Sequence, residues 1–378
     1  MIDALAYPEG DATFVLPIDK KIVSFDAENG GVGDIQGVVD NATNQVTFTV
    51  PYTAGSGEYA AYTSDPITVT GENGDSNTLT ISYPSGTFAA TGDITVTVTV
   101  AGADTSFDVI KQTGGVTALF GTFDFKVNGT SKGNLTLTAV GGIIDREFGD
   151  GVHDFIYITG VSPAGRTWLT HNLGAPVTNL NSSDFDPTAR ISTDFDDLKY
   201  NGSHYQHGRY SDGHELITDW SLGYSQNGLT NYSPTRTNTA TPNNNTFYFP
   251  TGSPYTWTTN NTTKWNGVNG LNNPCPIGFR VPTVAEAEDE IAASTAIAGA
   301  GATTSEIVQV LRDNPIQLLT NRSMVGGSYT SASGGGYWLE DEENSDFAHT
   351  LHITANALMV YSFAYATGHQ VRCIKDTN

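Results

Sequence analysis

Ile94-Thr95-Val96-Thr97-Val98-Thr99-Val100 alternates without a break between an apolar residue and a threonine. Side chains of an extended chain point to opposite faces in turn, so this run makes a strand with one face in a core and the other in water. Its β-branched side chains favour that extended backbone. The same pattern recurs on the N-terminal side, where residues 13–18, 21–25, 45–52, 67–70 and 78–83 read as strands. Asn29-Gly30-Gly31 and Gly71-Glu72-Asn73-Gly74-Asp75 supply turns between them. Six or seven short strands in about a hundred residues predict an immunoglobulin-like β-sandwich over residues 1–112. That expectation rests on pattern alone, because the Cys…Trp…Cys hallmark is absent. Residues 113–149 read as a smaller β segment, a connector or short extra domain. Within it, residues 122–127 and 134–140 form a hairpin around Asn128-Gly129-Thr130-Ser131-Lys132-Gly133.

Composition points the same way. A chain of 378 residues suits two or three domains, each large enough to bury a core. Gly is 41 and Met 3, and charged residues are 15%, which leaves little material for long amphipathic helices. Against 40 Asp plus Glu stand 17 Lys plus Arg, a formal net charge of −23. Such a field repels phosphate backbones and anionic membrane surfaces, so neither nucleic acid nor a membrane is an expected partner. No apolar run is long enough to span a bilayer. The opening Met1-Ile2-Asp3-Ala4-Leu5-Ala6-Tyr7-Pro8-Glu9-Gly10 has no basic n-region, no apolar h-region and no cysteine for a lipid anchor. A virion protein needs none of these; a secreted protein would have lost its signal before this numbering.

The C-terminal part carries four ordered blocks. They are Gly165-Arg166-Thr167-Trp168-Leu169-Thr170-His171-Asn172-Leu173-Gly174-Ala175, Tyr205-Gln206-His207-Gly208-Arg209-Tyr210-Ser211-Asp212-Gly213-His214-Glu215, Asn272-Asn273-Pro274-Cys275-Pro276-Ile277-Gly278-Phe279-Arg280-Val281-Pro282-Thr283 and Val371-Arg372-Cys373-Ile374-Lys375-Asp376. In this order they resemble the Fibrobacter succinogenes major paralogous domain family. The resemblance implies a C-type-lectin-like α+β domain over residues 150–378, of the kind found at the C-termini of surface-exposed proteins of Bacteroidota and their phages. It brings no general biochemical activity. Both cysteines fall inside the blocks, and in lectin-like folds the terminal strand runs close to such a loop, so a Cys275–Cys373 disulfide is expected. Two buried thiols are the alternative. Two helices fit the same order of elements. Thr283-Val284-Ala285-Glu286 is a capping box opening a helix to about Ser294, and Thr303-Thr304-Ser305-Glu306 opens another to about Asp313. An Asn/Thr/Pro-rich stretch of about 226–264 reads as a long surface insertion.

Candidate sites follow from residue chemistry. Fold relatives include formylglycine-generating enzymes, which work through a pair of active-site thiols. The only thiols here are Cys275 and Cys373, in the family's structural positions, so catalysis is not expected. His204, His207 and His214 with Glu215 could supply metal ligands. The family pattern instead implies that Gly213-His214-Glu215 orients a loop, and that His207 replaces a Trp. His349 and His352 are three apart on a strand and point to opposite faces. No cofactor is required, but calcium has candidates, because dense loop carboxylates supply its six to eight oxygens. These are Asp184, Asp186, Asp194 and Asp196, and then Glu340, Asp341, Glu343 and Asp346; a solvated acidic loop is the alternative. Trp257, Trp265 and Tyr255 lie in or beside the polar insertion, and Trp338 in the last block of strands. Exposed, such rings stack on sugars or grip a protein; buried, they pin the insertion. Tyr361, Phe363 and Tyr365 alternate along a final hairpin and shape a sheet face.

Together these readings predict a non-enzymatic, mostly β protein displayed on a virion surface. It would be a head fibre, decoration or tail-associated adhesion protein of a Bacteroidota phage. Its N-terminal part would meet other virion or cell-surface proteins, and its C-terminal domain a host glycan or protein, in a homo-oligomer. A secreted adhesin of the bacterial cell surface is the alternative.

Overall fold

The computed structural model describes residues 10–25, 37–72, 74, 76–190, 198–217, 231–260, 265–318, 323–325, 328–329, 336–354 and 357–377. The protein is mostly β, with two α-helices among the described residues. None of the helices is long and apolar enough to cross a membrane. The chain forms two compact units, Met1–Gly142 and Ile143–Asn378.

In the first unit the alternating run lies at the centre of a sheet. It belongs to strand Thr91–Gly102, which pairs antiparallel with Thr47–Ser56 on one side and Ser76–Tyr83 on the other. Ile94, Val96, Val98 and Val100 are buried, as the alternation requires. Asp11–Phe14 adds one edge, and Tyr62–Thr63 and Ile67–Thr70 add the other. A second sheet is the antiparallel pair Thr117–Val127 and Thr130–Ile144, joined in parallel by Ile18–Phe25. Phe123, Phe125, Leu135 and Leu137 of this second sheet share one core with Val50, Leu79, Val96 and Val98 of the first. Residues 113–142 are therefore part of the first unit's core, not a connector, and the division falls after Gly142 rather than at 149. An isolated hairpin could not bury its apolar face, and packing against the first sheet removes that cost.

Two local expectations are also corrected. The strand predicted over 13–18 is split: Asp11–Phe14 pairs in the first sheet, and Ile18 starts a strand of the second. Pro17 has no N–H to donate, and the chain changes sheets there. The hairpin turn is only Asn128-Gly129, both at positive φ (48° and 78°), since Val127 already pairs with Thr130. Asn128 also stitches the unit, accepting from the Ala60 N–H and donating to the Gly10 and Glu58 carbonyls.

The second unit contains both helices. Helix α1 spans Val284–Ala298 and α2 spans Thr304–Asp313, and both predicted capping boxes form, Thr283 with Glu286 and Thr303 with Glu306. Strand Ile374–Lys375 sits between Thr167–Leu169 and Phe279–Arg280. Beside it Cys275 and Cys373 are joined, with Cα atoms 5.8 Å apart. A three-stranded antiparallel meander, Gly336–Glu342, Phe347–Ile353 and Leu358–Ala364, completes the unit. The helices cover one face of this meander, where Ala287 and Leu311 share a core with Tyr337, Leu351 and Ile353.

The expected surface insertion is not a loose loop where it is described. Asn231–Ser233 and Thr246–Tyr248 pair in parallel, Thr237 bridges Thr258, and Phe247 and Trp257 are buried. Residues 226–230 and 261–264 of that stretch lie outside the described residues.

Candidate functional site

Three of the four aromatic residues considered for ligand stacking are core residues. Trp257 and Trp338 are 0% exposed and Trp265 1% exposed, so none can receive a sugar ring. Their indole nitrogens converge on one segment. Trp338 Nε1 donates to the Tyr205 carbonyl at 2.7 Å, Trp257 Nε1 to His207 at 2.8 Å, and Trp265 Nε1 to Arg209 at 3.1 Å. Asn272 Nδ2 donates to Gly208 at 2.8 Å. A buried carbonyl needs a donor, and a buried indole N–H needs an acceptor. Each tryptophan therefore meets two requirements at once, and the polar stretch is pinned to the core. Tyr255 remains the outward one, at 39% exposed.

The side chains of the same segment bind the polar stretch from the other side. Gln206 Nε2 donates to the carbonyls of Tyr248 and Ala366, and Gln206 Oε1 accepts from Arg209 Nη1 and the Tyr248 N–H. Arg209 donates twice to Asp212 Oδ2, at 3.1 and 2.7 Å, and once to the Thr246 carbonyl. His207 is a spacer: its Nε2 meets the Leu339 carbonyl at 3.0 Å, and its ring lies 4.7 Å from Trp265, 5.1 Å from Trp338 and 4.9 Å from Tyr365.

Asp212, His214 and Glu215 are the one group among the described residues close enough together to hold a metal ion. The surrounding bonds argue for a hydrogen-bonded network instead. His214 Nδ1 lies 2.7 Å from Asp212 Oδ1 and 3.0 Å from Glu215 Oε2, while its Nε2 accepts from the Gln206 N–H at 3.2 Å. One ring nitrogen accepts, so the other carries the proton shared between the two carboxylates. Ligand atoms around a tetrahedral zinc ion stand about 3.3 Å apart, wider than either spacing here. Two cationic side chains also compensate the carboxylates already. Arg209 pairs with Asp212, and His153 bridges Asp150 at 2.6 Å and Glu215 at 2.7 Å. Burial opposes charge on His153, but the Glu215 hydrogen bond and charge, with Asp150, outweigh it and raise its pKa to about 10. Burial likewise opposes ionisation of Glu215, yet hydrogen bonds from His153 and His214 hold its carboxyl well below the usual carboxylate range. Burial pushes neighbouring Asp145 up to about 6, against the hydrogen bond from Tyr157. The chain Asp150–His153–Glu215–His214–Asp212–Arg209 ties residues 145–157 to residues 204–215. The expectation that Gly213-His214-Glu215 orients a loop describes this geometry.

The predicted calcium acids do not form a shell among the described residues. Asp341 Oδ2 accepts from the Val284 N–H at the start of α1, and Glu340 Oε1 accepts from the Gly267 N–H. Asp186 Oδ1 closes a turn by accepting from the N–H and hydroxyl of Thr188. The 343–347 tip is organised by Asn344, whose Oδ1 accepts from the Asp346 and Phe347 N–H groups. Asp184 and Glu343 are exposed. Asp194 and Asp196 lie outside the described residues. Asp186, Glu340 and Asp341, which looked free in the sequence, are spent on backbone donors.

No family model, curated protein or solved structure matches the chain. The site must therefore be read from its own chemistry. Both thiols are joined in the disulfide. The remaining candidate is the second face of the meander. Trp338, Thr350 and Tyr361 lie side by side on it, as do Gly336, His352 and Met359. Exposure grows across the sheet: Trp338 and Thr350 are 0% exposed, Tyr361 53% and Met359 44%. Tyr361 was read as a residue that shapes a sheet face, and Met359 was not singled out. Their period-2 spacing on a strand was the available signal, but which face the helices cover is a tertiary fact.

Proposed function

We propose that this chain is a non-enzymatic binding protein displayed on an extracellular surface. In this reading the first unit is an immunoglobulin-like sandwich that anchors or spaces. The second is a C-type-lectin-like module, similar to the Fibrobacter succinogenes major paralogous domain family, that faces outward and binds. The observation that carries the reading is the unequal treatment of the meander's two faces. One is sealed by α1 and α2, while the other opens at Met359 and Tyr361 on the edge strand. Met359 and Tyr361 stand two residues apart on the same sheet face, and contiguous rather than scattered apolar exposure is what favours an interaction surface. The buried polar groups of the Asp150–His153–Glu215–His214–Asp212–Arg209 network, by contrast, are spent on one another, which suits a scaffold that presents a surface.

The first version is a structural protein of a Bacteroidota phage, such as a head fibre, decoration or tail-associated protein. A secreted adhesin is the second version, and the Cys275–Cys373 disulfide favours it, since such bonds form in oxidising compartments. Peptide mass spectrometry of gradient-purified virions beside washed host cells, without reduction, separates them. Stoichiometric peptides in particles support the virion protein. Recovery only from cells transfers the reading to the adhesin, and recovery from neither surface overturns display.

A further inference from the structure

We propose that the open end of the meander's second face takes a neutral glycan stacked on Tyr361, an inference that rests on the binding role given above to this module. Tyr361 stands on the edge strand with its ring 53% exposed. It is held from behind by a run of rings. Phe363 lies 5.3 Å from it, His369 4.4 Å from Phe363, and Trp338 4.6 Å from His369. His369 and Trp338 are 0% exposed, so the platform is continuous with the core and does not yield when loaded. Rigid aromatic surface binds at low entropic cost, because little side-chain freedom is left to lose.

The chemistry around the ring selects the ligand. Met359 supplies apolar surface beside it, and the half-buried His352 ring, with its Nδ1 buried, lies 6.0 Å from the Tyr361 ring. A sugar ring presents an apolar C–H face that stacks on such a surface. Along the central and edge strands this face carries no Asp, Glu, Lys or Arg; its one carboxylate is Glu342, at the far end opposite Ala348. In a chain of net charge −23, a locally uncharged patch suits a neutral ligand, while sialylated, sulfated or uronic-acid glycans meet long-range repulsion. A basic protein partner would find its complementary charge elsewhere on the molecule.

The test uses the whole chain on a printed array of neutral and anionic glycans, with Tyr361→Ala and Tyr361→Phe in parallel. Tyr361 is exposed, so both variants should keep the wild-type melting temperature. The inference expects signal confined to neutral glycans, weakened about tenfold or more by Tyr361→Ala and retained by Tyr361→Phe. Absence of any neutral signal, or equal binding by Tyr361→Ala, overturns it. Washed Bacteroidota cells distinguish this failure from failure of the binding role itself. Cell binding lost after periodate supports the glycan. Cell binding that depends on Tyr361 but survives periodate and is lost after protease assigns a protein partner and overturns the glycan alone. Cell binding indifferent to Tyr361 overturns the face as well.

Discussion

The indole nitrogen of Trp257 donates to the carbonyl of His207 at 2.8 Å, across 50 residues of sequence, with both residues buried. Trp265 does the same for Arg209 two residues on. These two bonds attach a polar stretch that carries few apolar residues of its own. Trp257→Ala and Trp265→Ala should each cost about 3–5 kcal/mol, the range for emptying a buried aromatic site. Trp257→Phe should cost about 1–3 kcal/mol, because it keeps much of the volume but leaves the His207 carbonyl without its donor. Denaturant titration measures both. If Trp257→Ala proves neutral, the pinning role is wrong.

Cys275 and Cys373 close a loop of sequence separation 98. In the chain-entropy model this cross-link stabilises by about 4–5 kcal/mol. Cys275→Ala should lower the unfolding free energy by that amount, and the denaturant midpoint with it, under oxidising conditions and leave a reduced sample unchanged. Equal midpoints for wild type and variant in oxidising buffer would remove the disulfide's role.

His153 offers an alkaline signature. Its pKa is raised from 6.5 to about 10, chiefly by Glu215 and Asp150 overcoming burial. A cation favoured in the fold contributes fully below about pH 6.5 and is lost as pH rises towards 10. His153→Gln should cost about 3–5 kcal/mol at neutral pH, since it leaves Asp150 and Glu215 without their partner. It should also flatten the decline of stability between pH 7 and 10. A variant with the wild-type slope would assign that decline to other groups.

His171 works at the opposite end. Burial, with the nearby Arg372 charge, lowers its pKa to about 3. The unfolded chain takes up this proton near pH 6.5 and the fold does not, so its contribution is present above that pH and lost as pH falls towards 3. Asp145, raised by burial to about 6, acts in the contrary sense over the upper part of that window. His171→Asn should therefore make the melting temperature less sensitive to pH between 6.5 and 4, whereas Asp145→Asn should make it more sensitive. Parallel slopes for all three proteins would refute this assignment.

The Asp212–His214–Glu215 group is expected to hold protons rather than an ion. Adding EDTA, zinc or calcium should leave the melting temperature unchanged, whereas Asp212→Asn should lower it by releasing Arg209. A clear drop with EDTA that Asp212→Asn abolishes would restore a metal to this group.

Arg372 shows how far local grammar reaches. As part of Val371-Arg372-Cys373 it marks a terminal strand, but its role comes from distant partners. Its Nε donates to Asn172 Oδ1 at 2.9 Å, and its Nη1 donates to the carbonyls of Thr170 and Ile316. Burial pushes its pKa down to about 10. Nothing around residue 372 in the chain announces those acceptors, because they belong to strands and turns that meet only when the unit closes.

The sequence by itself determined whatever depends on near neighbours. Ile94–Val100 had to be a half-buried strand because its period is 2, and Thr283 and Thr303 had to cap helices because Glu286 and Glu306 lie one turn on. Asn128-Gly129 had to turn, since the positive φ that both residues adopt suits Asn and Gly at little cost. Only the tertiary structure decided what depends on which elements face each other. It put residues 113–142 into the first core, spent Asp341 and Glu340 on backbone donors, and buried Trp257 and Trp265 while leaving Tyr361 open. Burial is a property of packed faces. A tryptophan among asparagines and threonines reads as exposed until an unseen segment, here Tyr205 to Arg209, supplies the carbonyls that draw it in.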